Sequence, residues 1–164
     1  MKKLIQLNVN GDAHELAVRP DETLLGVLRN HLDLIGPKRG CDSGGCGCCT
    51  VQVDGKAIYS CMMYAASVQD RKVVTVEGLG QSNGQSSGQG NGHELDPLQQ
   101  AFIDAGAVQC GYCTCGMIMA ARELLDTVAN PDEEQIRHAI AGNLCRCTGY
   151  QKIVDAIKLA AAAA

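Results

Sequence analysis

Gly40-Cys41-Asp42-Ser43-Gly44-Gly45-Cys46-Gly47-Cys48-Cys49 decides how the first part of this chain folds. Eight of these ten residues are glycine or cysteine, so the stretch is neither a helix nor a strand but a loop built around thiols. Cys41, Cys46 and Cys49 give the spacing C-x4-C-x2-C, and Cys61 follows after eleven intervening residues. That spacing, with a distant fourth cysteine, is the plant-type 2Fe–2S arrangement. Three thiolates from one short loop must surround a cluster whose bridging sulfides also call for backbone N–H donors. The glycines between them permit the backbone angles and the close approach that such crowding demands. A structural zinc site with four cysteines more typically pairs C-x2-C with C-x2-C. Cys41, Cys46, Cys49 and Cys61 are therefore the expected ligands of a 2Fe–2S cluster.

A second group lies downstream, where Cys110-Gly111-Tyr112-Cys113 is followed after 31 residues by Cys145-Arg146-Cys147. Alone, this spacing suits zinc as well as iron, because two helical hairpins could bring the pairs together around either. Beside the first group, the cluster reading is the stronger. The chain has ten cysteines. Met1-Lys2-Lys3 is followed by Gln6, Asn8 and Asn10, which interrupt any signal-peptide core. Tight cysteine groups in a reducing compartment indicate metal or catalysis rather than a disulfide scaffold. A cytoplasmic location is expected.

The bulk composition is that of a globular protein. Of 164 residues, 46% are hydrophobic and 3% aromatic, so the cores must be built from Leu, Ile, Val, Ala and Met. A net charge of −4 argues against a nucleic-acid surface. No apolar run approaches the roughly 20 residues that span a bilayer.

The chain divides into two domains. All thirteen residues from Gly80 to Gly92 are Gly, Gln, Ser or Asn, which reads as a flexible linker or disordered surface loop. The expected boundaries are 1–78, a linker at 79–94, and 95–164. Before the linker the signals are mostly β. Ile5, Leu7 and Val9 alternate with polar residues, Asn10-Gly11 marks a hairpin, and Leu16 and Val18 point inward from a second strand. A helix is expected from near Asp21, with Leu24, Leu25, Leu28 and Leu32 on one face. Val51, Val53, the Asp54-Gly55 turn and Ala57–Tyr59 predict another hairpin, and Val73–Val76 a last strand. A small mixed sheet crossed by a helix is a β-grasp. After the linker the signals are helical. Asp96-Pro97 opens one helix, Met117 to Val128 a second, Asn130-Pro131 a third, and Tyr150, Ile153, Val154 and Ile157 define a fourth. Short amphipathic helices bury their stripes against each other, which predicts a four-helix bundle. The fold class is α+β.

Gln109-Cys110-Gly111-Tyr112-Cys113-Thr114 and Gly142-Asn143-Leu144-Cys145-Arg146-Cys147-Thr148-Gly149-Tyr150 resemble the iron–sulfur subunit of the xanthine oxidase family, the molybdenum hydroxylases. Gly40–Gly47 looks like the same subunit's first cluster loop. The likeness covers the chain apart from Gly80–Gly92 and the alanine tail. It implies a plant-type ferredoxin-like β-grasp domain and a four-helix-bundle domain, each with one 2Fe–2S cluster. The second cluster's ligands would be Cys110, Cys113, Cys145 and Cys147. It also implies a large molybdopterin-binding partner and an FAD-binding partner, in a heterotrimer or its dimer. Electrons would pass one at a time from molybdenum through the C-terminal and then the N-terminal cluster to FAD. Gln109 and Cys147 match the positions that approach the partner's pterin. No catalytic residue and no substrate pocket would belong to this chain.

Two positions depart from the family pattern. Cys48 stands where a small residue is usual, and Cys115 where Pro is usual. Each is either a small buried hydrophobe or an alternative ligand or tuning residue. His14, His31, His93 and His138 follow no ligand spacing. Asp132-Glu133-Glu134 reads as a helix start, Met117 and Met119 as core, and Arg146 as solvated or paired with the anionic cluster environment. The alternatives to an electron-transfer subunit are a free-standing ferredoxin-like carrier and a metal-stabilised interaction module without redox work.

Overall fold

The computed structural model describes residues 1–81 and 95–163. Strands β1 (Lys3–Val9) and β2 (Asp12–Val18) pair antiparallel, with Lys3 opposite Val18 and Val9 opposite Asp12. Ile5, Leu7 and Val9 are buried at every second position, as the alternation predicts. Asn10 and Gly11 turn at φ +55° and +93°, the left-handed pair that matches strand twist in a two-residue hairpin. Helix α1 (Leu24–Asn30) begins later than the expected Asp21. The Thr23 hydroxyl accepts the Gly26 N–H at 3.1 Å and so fixes Thr23 as the N-cap. Leu24, Leu25 and Leu28 are buried on it, while Leu32 lies beyond its end and is half-buried.

Strands β3 (Thr50–Val53) and β4 (Lys56–Tyr59) form the second hairpin around Asp54 and Gly55. β5 (Lys72–Val74) pairs parallel with β1 and antiparallel with β3, giving the order β2-β1-β5-β3-β4. It stops short of the expected Val76. The Thr75 N–H donates to Asn10 Oδ1 at 2.9 Å, and Asn10 Nδ2 to the Thr75 hydroxyl at 3.0 Å. Side-chain bonds thus replace the ladder, and Val76–Gln81 coils into a 3-10 turn. Leu79, inside the stretch expected as linker, is buried against the helical core. The Gly80–Gly92 linker reading lies outside the described residues from 82 onward.

Four helices follow residue 95: α2 (Pro97–Asp104), α3 (Thr114–Thr127), α4 (Glu133–Ala139) and α5 (Gln151–Ala162). With α1 the described residues hold five α-helices. Asp96 and Gln99 form a reciprocal capping box on α2, as Asp132 and Gln135 do on α4. The cap of α4 is thus Asp132 rather than Asn130. Tyr150 is not part of the α5 stripe but precedes it at φ +69°. α2 packs on α5, and α4 on both α3 and α5. Phe102, Met117, Met119, Ile136, Ile153 and Ile157 fill the space between them. A separate core of Ile5, Leu7, Val18, Val27 and Val51 lies between the sheet and α1. The helical core reaches across the domain boundary to include Cys46 and Cys48. Among the described residues no helix is long and apolar enough to cross a membrane.

Candidate metal centres

The first thiol group sits where the β3–β4 hairpin returns the chain to its starting loop. Thr50 is opposite Tyr59 in that hairpin, which brings the residues flanking it, Cys49 and Cys61, to the same end. The Ser60 hydroxyl and N–H both donate to the Cys49 carbonyl, at 2.7 and 3.3 Å, and lock the closure. The thiols of Cys61 and Cys49 lie within hydrogen-bonding reach of each other, as do those of Cys41 and Cys46. The Ser43 N–H, then the Cys46 thiol and the N–H groups of Cys46 and Gly45, pull the Cys41 thiol down to about 6. These are the backbone donors that a crowded anionic site calls for. Burial, reinforced by Cys49, pushes Cys61 up to about 12.

The second group repeats the pairing. Cys110 and Cys147 sulfurs are 3.5 Å apart, and Cys113 and Cys145 are partners within reach. Cys113 is the residue from which α3 starts, so the helix fixes its direction. Burial pushes its thiol up to about 12. Cys145 is held by Thr148, whose hydroxyl is 3.0 Å from its sulfur, and by the Tyr150 hydroxyl, which accepts its N–H at 2.8 Å. Burial alone would raise the Cys145 thiol, but the Thr148 hydroxyl and backbone N–H donors outweigh it and leave it lowered. The Tyr112 N–H and then the Cys147 thiol lower Cys110. Cys110, Cys147 and Gln109 are exposed, whereas Cys113 is buried.

A lone tetrahedral zinc needs four sulfurs at about 2.3 Å from one point. Among the described residues no three His, Cys, Asp or Glu side chains are arranged for a single ion. In the second group the sulfurs come as two pairs, while in the first Cys46 is within reach of both Cys41 and Cys48, and Cys49 reaches Cys61, so each group offers the four thiols that a two-iron centre would need. The residues present fit two 2Fe–2S clusters.

Cys48 stands beside the first group, its thiol also within hydrogen-bonding reach of the Cys46 thiol. It is buried, its thiol pointing at the Cys46 carbonyl from 3.9 Å, and burial pushes it up to about 12. Cys115 lies in the first turn of α3, its thiol also raised by burial. His31 pairs with Glu22 at 2.9 Å, and His14 and His138 join neither thiol group. His93 lies outside the described residues. Arg146 is exposed, Met117 and Met119 are core, and Asp132 caps α4.

Sequence reasoning missed the residues that sew the two domains together. Asn143 is buried and donates to the Gly47 carbonyl at 2.8 Å and to the Thr50 hydroxyl at 3.3 Å. The Leu144 N–H donates to the Cys46 carbonyl at 2.9 Å. The Tyr59 hydroxyl donates to the Gly142 carbonyl at 2.8 Å, and the Tyr112 hydroxyl to the Arg39 carbonyl at 2.6 Å. Each of these partners lies at least 73 residues away, beyond the reach of any local pattern.

Residues 7–75 match the 2Fe-2S iron-sulfur cluster binding domain family, and residues 75–158 match the [2Fe-2S] binding domain family. The chain is 43% identical to the nicotinate dehydrogenase small FeS subunit of Eubacterium barkeri, over 97% of this chain and 95% of that one. The fold is similar to quinoline 2-oxidoreductase from Pseudomonas putida 86, with a TM-score of 0.88 and 37% identity over 99% of this chain and 95% of the other. Aldehyde oxidoreductase from Desulfovibrio desulfuricans also gives a TM-score of 0.88, at 41% identity over 98% of this chain but only 17% of that longer one. Relatives that occur as named subunits or as a segment of a larger oxidoreductase favour a subunit over a free-standing carrier. The chain belongs to the iron–sulfur subunit family of the molybdenum hydroxylases, oxidoreductases in which this component binds two 2Fe–2S clusters and transfers electrons.

Proposed function

We propose that this chain relays electrons, one at a time, between a molybdopterin-binding large subunit and an FAD-binding subunit in a cytoplasmic heterotrimer or its dimer. We infer a β-grasp domain (1–78), a connecting segment (79–94) whose first residue, Leu79, packs on the helical core, and a four-helix bundle (95–164). Cys41, Cys46, Cys49 and Cys61 hold one cluster, and Cys110, Cys113, Cys145 and Cys147 the other. When bound, each 2Fe–2S cluster supplies a reversible one-electron store. The residues of this chain fix the sulfurs, donate N–H bonds to them and exclude water from one side of each site.

The observation that supports this reading most is the gathering of these eight thiols into two groups, together with their uneven exposure. Cys110 and Cys147, beside Gln109, face outward, while Cys113 is buried toward the domain boundary. The exposed edge suits a partner's pterin, with Cys147 as both ligand and point of entry. Co-purification tests the assembly: a small electron-transfer component elutes with two larger chains carrying molybdenum and flavin, and elution alone in active form would refute it.

A further inference from the structure

The two thiol groups are not independent modules, because the loop of one is built partly by the loop of the other. Gly142 to Cys145 leads into the second group and lies directly on residues 46–50 of the first. The Gly47 carbonyl receives three donors, from the Thr50 hydroxyl at 2.6 Å, the Thr50 N–H at 3.1 Å and Asn143 Nδ2 at 2.8 Å. Two of the three are local; the third comes from 96 residues away. One residue on, the Leu144 N–H bonds the carbonyl of Cys46 itself. A single hydrogen bond therefore separates Cys46, in the first thiol group, from the residue that precedes Cys145, in the second.

The packing around this seam leaves no slack. Gly47 sits at φ +70°, and a Cβ there would collide with the Gly142 carbonyl and the Asn143 side chain. A Cβ on Gly116, in the first turn of α3, would collide with the Gly47 carbonyl and come within 2.9 Å of Asn143 Nδ2. Asn143 is 3% exposed, so its carboxamide is committed to this contact rather than to solvent. A buried amide that bridges two loops from different domains has no role in closing either domain's own core, which the Leu, Ile, Val and Met side chains do.

We propose that Asn143 is a positioning residue for the N-terminal cluster, supplied by the C-terminal domain, which with Leu144 holds the two clusters at one fixed spacing and sets the N-terminal cluster's environment. The proposal rests on the ligand assignment above. It goes beyond it in assigning a function to a residue that binds no iron. Potentials of such clusters respond to hydrogen bonding and solvent access around the sulfurs. Loosening Gly47 changes both at Cys46 and Cys49 while leaving all eight thiols in place.

The test uses the full chain loaded with both clusters, in wild-type form and as Asn143→Ala and Gly116→Ala. Gly116→Ala opens the same seam from α3 without altering Asn143 or a cysteine. The readouts are iron content, EPR of each reduced cluster, the magnetic splitting between the two when both are reduced, and redox titration. A Cys110→Ser/Cys147→Ser chain identifies which signal is N-terminal. Both seam variants should shift the N-terminal reduction equilibrium about tenfold or more, which is about 59 mV for one electron, and narrow the splitting. The C-terminal signal should stay in place. Selective loss of the N-terminal cluster from Asn143→Ala also supports the proposal. Wild-type splitting and potentials in both variants, or selective loss of the C-terminal cluster, overturn it. A Cys41→Ser/Cys49→Ser chain that still holds four irons overturns the ligand assignment instead, so the two failures are distinct.

Discussion

The Cys145 N–H donates to the Tyr150 hydroxyl at 2.8 Å, from a tyrosine held at φ +69° just ahead of α5. The bond folds the Cys145–Tyr150 segment back on itself, so the rigid start of a helix presents the Cys145 sulfur. Tyr150→Phe removes the acceptor and leaves that N–H unpaired. The expected cost is about 1 kcal/mol of stability, with an altered C-terminal EPR signal and an unchanged N-terminal one. Chemical denaturation and EPR on the same sample check it, and a wild-type spectrum would show that Thr148 alone orients Cys145.

Stoichiometry is the plainest consequence of two four-thiol sets. The purified chain should contain four iron and four acid-labile sulfide, about two of each per cluster, with negligible zinc. Elemental analysis giving two iron and one zinc would remove the second cluster and spare the first.

Cys48 and Cys49 are neighbours with opposite expectations. Cys49 precedes β3 and reaches Cys61, whereas Cys48 packs into the helical core and reaches the carbonyl and thiol of Cys46. Cys48→Ala should keep the N-terminal cluster, with at most a shifted potential. Cys49→Ala should lose it, or retain it with a visibly altered EPR signal. The reverse pattern would exchange their roles.

Glu133 ties α4 to α5 through Lys158 at 2.6 Å, with Arg137 beside it at 2.8 Å. Lys158 first, then Arg137, hold its carboxyl below 4.5. A lowered carboxyl contributes stability that is complete above the unfolded value and is lost as pH falls through the folded one. Wild-type stability should therefore drop more than that of Glu133→Gln as pH falls below about 4.5. Thermal melts across that range check the sign, and parallel curves would show that the pair is fully screened by solvent.

Gln52 on β3 is buried, and its Nε2 has no partner among the described residues. An unsatisfied buried amide costs about 1–3 kcal/mol. Gln52→Met, of similar length, should be neutral or stabilising by about 1 kcal/mol, with both EPR signals unchanged. Destabilisation in a denaturant melt would mean that the amide serves the hairpin.

By itself the sequence determined what could be written along a single segment. Alternation of Ile5, Leu7 and Val9 marks a half-buried strand, Asn10-Gly11 a turn, and Asp96-Pro97 a helix start, because strand period, left-handed backbone and orphan N–H groups are local matters. Cysteine spacing belongs to the same class where the loop is short, so C-x4-C-x2-C named its cluster. Tertiary structure decided the rest. Where β5 ends depends on Asn10, 65 residues from Thr75. Whether Cys110 meets Cys147, 37 residues away, depends on how α4 packs on both α3 and α5 and so brings the loops before those two helices together. Asn143 reads in the sequence as one polar residue shortly before a cysteine, yet it becomes the bridge between two domains. A hydrogen bond spanning 96 residues leaves no periodicity to read and exists only once both cores have formed.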